Sequence, residues 1–339
     1  MFHLVVRRYF GYTCPESGLD KTRDLVLDGL LHTEQDYERA FQVIEAELAF
    51  VYDFFFTKYA SIMYGNEVRS KHMHRLKKLL PSREAGKAVE LPMEVKRAVA
   101  RTIKNSTNGY LSHGTSALMR HGMSDLLHGA CKITDEYTLT HSILVWHVAT
   151  SFCEISDTIR RPDDVHPNQV VATILSKYCT YLVAFEPALL PGSAPEIKCA
   201  LDEVVKEANE MLHGLASPRE KYEKLSELQY VGDGRMLFIT YGVMLGKALE
   251  RMQNHANRWD LLADFWAEMM VYIAPSNNVD RHIELLAEGG EFVTHVWALL
   301  MHAGILSVPV LQSPRPRSEG DAARSYTQSY MYILHDLCN

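Results

Sequence analysis

Apolar side chains return at three- and four-residue intervals along most of this chain, and the alternation a strand would need is absent. Thr33 and Asp36 form a capping-box start, and Phe41, Ile44, Leu48, Tyr52, Phe55 and Tyr59 then line one helical face. Pro92, Pro167, Pro195 and Pro218 each stand where a first helical turn would begin. Ser217 with Glu220 is a second capping box, ahead of a helix carrying Tyr222, Leu225 and Leu228. After Gly232-Asp233-Gly234 the stripe resumes with Leu237, Tyr241, Met244, Leu245 and Leu249. The clearest pattern fills 258–306. Leu262, Phe265, Trp266, Met269 and Ile273 share a face that Pro275 and Ser276-Asn277-Asn278 interrupt. Val279, Ile283 and Leu286 follow, closed by Gly289-Gly290, then Phe292, Val296, Leu299 and Leu300, closed by Gly304. Connections this short predict three helices packed side by side, with Trp266 and Trp297 as anchors.

The pattern predicts an all-α, multi-helix globular bundle in two helical halves, with no substantial sheet. The expected division is an N-terminal segment 1–20, an N-terminal helical half 21–160, a C-terminal helical half 161–306, and a Pro/Arg/Ser-rich linker and tail 307–339. The hinge is placed at 157–167, DTIRRPDDVHP, where two prolines meet a charge cluster. The alternative is an ordinary surface loop inside one domain.

Composition narrows the class further. The 339 residues carry a formal charge of −7 and an ordinary apolar share of 47%. That excludes general nucleic-acid binding and leaves enough apolar surface for a sizeable core. Residues 292–313 and 137–153 contain no Lys, Arg, Asp or Glu, yet histidines and, in the first, Gly304 and Pro309 interrupt them, so buried helices are expected and spans are not. The opening MFHLVVRRYFGYT has too short an apolar run for a secretory signal. The six cysteines, Cys14, Cys131, Cys153, Cys179, Cys199 and Cys338, form no CxxC and are widely spaced. They read as reduced thiols in a cytoplasmic protein.

Candidate chemistry is sparse. Sixteen histidines include no HExxH and no zinc-spaced partner cysteines, so no metal and no cofactor are expected. His113, His121 and His128 each precede glycine and suit helix ends, while His295 and His302 share a helix face as satisfied interior residues. Gly242 to Lys247, GVMLGK, is one residue short of a phosphate loop, ends before Ala248, and lies inside a helical stripe where no strand precedes it. No GxSxG elbow is present. The weak candidate surface is a basic amphipathic segment in which Arg69, Lys71, Arg75, Lys77 and Lys78 accompany Leu76, Leu79 and Leu80. Such a segment suits anionic lipid or an acidic partner.

Two stretches carry a resemblance. LLADFWAEMMVYIAPSNN followed by HIELLAEGGEFVTHVWALLMHAGI resembles the C-terminal module of the grass-expanded plant family called domain of unknown function 594. KTRDLVLDGLL and DYERAFQVIEAELAFVYDFFFTKYA, within 21–60, are similar to the companion plant module called domain of unknown function 4220. Residues 91–154 resemble the same architecture. The family has no agreed activity, so the resemblance implies no catalytic residues. Its members carry membrane-spanning helices, and against them this chain reads as a trimmed, soluble member.

Together these readings give the expectation of a non-enzymatic helical protein that binds, and modulates or neutralises, another protein. One alternative is a peripheral membrane protein using 69–80, lying on a membrane surface without spanning it; the other is a helical enzyme whose site the sequence does not reveal.

Overall fold

The computed structural model describes residues 2–9, 22–56, 91–106, 111–123, 138–229, 238–252 and 254–305. Among the described residues every regular element is helical, as the pattern predicted. They separate into two compact units. One comprises the described parts of Met1–Leu111 and Ile273–Val308, the other that of Ser112–Tyr272. The expected division at 160/161 falls inside the second of these units. The helices on either side of 161–166 pack against each other within one unit, and residues 161–165 form an exposed connection between them. The basic segment 69–80 and the tail 307–339 lie outside the described residues, as does most of the segment 1–20.

The first unit is built around α2 (Asp36–Phe56). α1 (Phe2–Tyr9), a π-helical turn (Leu25–Leu30), α3 (Met93–Asn105), α11 (Val279–Ala287) and α12 (Phe292–His302) all pack on it. Its buried face is Tyr37, Phe41, Ile44, Leu48, Val51, Phe54 and Phe55. Tyr52, expected on that face, is exposed and stacks on Phe56 at 5.0 Å, and Val51 takes the inward place. Both are apolar enough to fit the stripe; a phenol at the edge keeps its hydroxyl in water, which valine has no need to do. In α11 the inward residues are Val279, His282, Ile283 and Leu285, while Leu286 is half-buried, so the face is rotated from the apolar stripe by a histidine that the pattern counts as polar.

The second unit is organised by α5 (Leu139–Arg160). Around it lie α4 (Thr115–Arg120), α6 (Pro167–Phe185), α7 (Ala194–Leu212), α8 (Pro218–Ser226), α9 (Phe238–Glu250) and α10 (His255–Ile273). α9 approaches α5 most closely. A Cβ added at Gly242 would stand 2.4 Å from Val148 Cβ and 2.9 Å from the Val145 carbonyl, and one at Gly246 would meet Phe152 at 2.8 Å. The two glycines of GVMLGK therefore serve helix packing, and Lys247 donates to the Leu228 carbonyl at 2.8 Å. α10 runs antiparallel to α5: Phe265 stacks on Trp146 at 4.0 Å, and further along α5 Asp157 meets Arg258 and Trp259. All four tryptophans are buried.

Candidate functional site

The richest polar cluster gathers where the end of α5 meets the start of α10. Asp157 follows Trp146, Thr150 and Cys153 along the inward face of α5 and is 4% exposed. A carboxylate at that depth has to be paired. Arg258 donates to its Oδ2, Trp259 Nε1 donates to the same oxygen at 2.8 Å, and Arg161 donates to Oδ1 at 3.2 Å. The Arg258 guanidinium also lies against the Trp259 ring. Beside this, the Tyr222 hydroxyl accepts from Arg160 at 2.8 Å and lies 3.3 Å from both Glu250 oxygens, with its ring stacked on Phe152. Two neighbouring polar clusters on α5 thus tie it to α10 and to α8 and α9.

A second network fixes α4 to α10. Glu268 is 4% exposed; it accepts from the Ala117 amide at 3.1 Å and from Arg120 at 2.7 Å. Asp264 accepts from Arg120 at 3.2 Å and from His121 Nε2 at 3.0 Å. His121 ends α4, as its spacing suggested. The residue after His113 explains why glycine is needed there: Gly114 has φ of 100°, and a Cβ on it would lie 2.1 Å from the Phe265 ring.

Both Asp157 oxygens accept hydrogen bonds, so the carboxylate has donors on each side and is poorly placed to take a substrate proton. A serine–histidine contact does occur, His147 Nδ1 to Ser176 Oγ at 2.9 Å. Burial, helped by the charge of Lys177, pushes His147 down to about 4, which makes it a weak base. Ser176 is 1% exposed, so no substrate reaches its hydroxyl. Burial pushes the Cys153 thiol up to about 12 despite Arg258 nearby, and raises Cys179 as well. Both thiols stay protonated and unreactive.

The first unit holds its own buried polar contacts. His302 Nε2 donates to Glu47 Oε2 at 2.7 Å, and His302 is fully buried, so it is the interior histidine the sequence suggested. His295 Nδ1 lies 3.0 Å from the Glu291 carbonyl. His282 stacks on Trp297 at 4.3 Å with its Nδ1 3.0 Å from Thr294 Oγ1. Burial first, then the charges of Arg8 and Arg281, pushes His282 down to about 3. Among the described residues no group of three or more His, Cys, Asp or Glu side chains could hold a metal ion. No helix there is long and apolar enough to cross a membrane.

The sequence-based candidates Arg69, Lys71, Arg75, Lys77 and Lys78 lie outside the described residues. What the pattern missed is the pairing of Asp157 with Arg258 and Trp259, and that of Glu47 with His302. Asp157 offered one signal, a charge in register with an apolar stripe. Its partners stand 101 and 102 residues away, beyond any local pattern.

Residues 251–305 match the family described as protein of unknown function, DUF594. Residues 1–76 match DUF4220, a domain of unknown function. The two matches cover separate parts of the chain. The DUF594 match takes in α10 of the second unit and α11 and α12 of the first, and the DUF4220 match takes in α1, the π-helical turn and α2. Residues 91–154 lie outside both matches. No curated protein and no solved structure matches the chain.

Proposed function

We propose that this is a non-enzymatic helical interaction protein of a plant family, which binds and modulates or neutralises another protein. The observation that supports the reading is the commitment of its buried polar groups. Asp157, Glu268 and Glu207 each have both carboxylate oxygens engaged by donors at a neighbouring helix or helix end, while burial keeps Cys153 protonated and His147 and His282 neutral. Groups used in this way hold a shape and do not turn over a substrate. Shape and surface then carry the function. α6 turns Val170, 38% exposed, and Phe185, 54% exposed, toward solvent along one side. Free cysteines are in keeping with a cytoplasmic location.

The test is affinity capture of the full chain from plant tissue, in parallel with a Val170→Asp/Phe185→Asp variant. The expected result is a reproducible partner whose capture falls severalfold in the variant while the thermal midpoint holds. No reproducible partner, or turnover of a small molecule by the purified chain, sinks the reading.

A further inference from the structure

α6 is apolar on both sides. Inward it buries Val171, Ala172, Leu175, Cys179, Leu182 and Val183. Outward, Val170, Ile174, Tyr178, Tyr181 and Phe185 recur at three- and four-residue intervals, which keeps them within about 80° of one another around the helix. Val170 and Phe185, at the two ends of that stripe, are exposed, and Ile174, Tyr178 and Tyr181 are half-buried. The Tyr181 ring lies 5.9 Å from Tyr178 and 5.1 Å from Phe185, so the aromatic part of the stripe is a continuous ladder. A helix at a protein surface ordinarily turns charges outward. α6 has one charge in 19 residues, Lys177, which stands exposed within the stripe and reaches Glu154 at 2.8 Å. Two apolar faces on one helix call for cover on both.

The sequence beyond the last described residue, Ile305, contains a segment that matches this face. Tyr326, Tyr330, Ile333, Leu334 and Leu337 repeat the same intervals, and at 3.6 residues per turn they fall within about 100° of one another. The single Lys, Arg, Asp or Glu in 325–339 is Asp336, at the edge of that stripe and opposite in sign to Lys177. Between Ile305 and Tyr326 run about 20 residues that include Pro309, Pro314 and Pro316, and such a length spans about 65 Å when extended. A segment on a tether of that kind meets a face of its own chain at an effective concentration on the order of millimolar.

We propose that 326–337 docks on the outer face of α6 as an amphipathic helix, stripe against stripe with Asp336 beside Lys177, and that it competes there with the protein partner. This rests on the interaction reading and supplies its regulation. The apolar match provides the contact, because each stripe alone would leave a row of large side chains in water. The opposite single charges favour one register over its neighbours. The tether makes the internal contact the resting one, so a partner has to displace it.

The experiment places the photocrosslinker p-benzoylphenylalanine at Phe185 of the full chain, irradiates it and digests it with trypsin. No Lys or Arg follows Arg324, so 325–339 is released as one fragment. The expected product joins that fragment to the α6 fragment within a single chain. Tyr330→Asp/Leu334→Asp should cut its yield severalfold at an unchanged thermal midpoint. The proposal is overturned if no crosslink forms, if it joins α6 to another segment or to a second copy, or if the double variant leaves the yield as it was. In capture from tissue the same double variant should raise recovery of the partner severalfold, and equal recovery sinks the competition. A crosslink without any captured partner ends the interaction reading and leaves the docking standing; a partner captured by a chain that gives no crosslink does the reverse.

Discussion

Gly242 shows at the scale of one residue how context fixes meaning. In an exposed helix, alanine in place of glycine stabilises by up to about 1 kcal/mol. Here the added methyl would sit 2.4 Å from Val148 Cβ and within 2.9 Å of a backbone carbonyl that cannot rotate away. The clash wins, and Gly242→Ala should destabilise by about 1–3 kcal/mol in urea unfolding. A variant as stable as wild type would show that α9 and α5 are further apart than described. The glycine spacing was visible in the sequence, and the missing strand already spoke against a phosphate loop. What the glycines do instead depends on Val145, Val148 and Phe152, almost 100 residues earlier.

Among the helices, local signals fared best at the ends. Ser217 and Glu220 make the reciprocal capping box that their spacing predicts, with the Glu220 amide donating to Ser217 Oγ at 3.1 Å and the Ser217 amide to Glu220 at 3.0 Å. Donation from the Ser217 amide first, then from its hydroxyl and the Ala216 amide, holds the Glu220 carboxyl below the ordinary range. Ser217→Ala should cost about 1 kcal/mol, read as faster hydrogen exchange across α8 with α5 unchanged. Unchanged exchange in α8 would mean that packing alone starts this helix. Three other caps were illegible. His166 accepts from the Asn168 amide at 3.3 Å, and His141 completes a box with Thr138, although histidine is not a usual cap. Glu207 on α7 accepts from the Phe238 and Ile239 amides at 3.2 and 2.9 Å, capping α9 from 31 residues away. Burial raises Glu207 above the ordinary carboxylate range even as those amides pull it down.

For the whole molecule, the buried histidines set the response to acid. The unfolded chain binds a proton at His282 and His147 below an ordinary 6.5, whereas the folded chain holds them neutral down to about 3 and about 4. Between those limits the unfolded state carries more protons, so stability is full above 6.5 and is lost as pH falls. Each of the two should remove about 1.4 kcal/mol per pH unit inside its window. Urea midpoints measured from pH 7 to pH 4 check this; a flat profile would mean that water reaches both rings.

The sequence by itself determined that this chain is helical, where most of its helices start and stop, and which two families its segments match. Those properties are written in intervals of three and four residues and in caps three residues wide, so neighbours in the chain suffice to state them. The tertiary structure alone decided that α1, α11 and α12, from opposite ends of the chain, pack on α2, and that Asp157, Glu47 and Gly242 have the partners they do. Each of those outcomes joins residues about 100 or more positions apart. An apolar stripe says that a face is buried and leaves open what buries it, since the hydrophobic effect rewards area and is indifferent to direction.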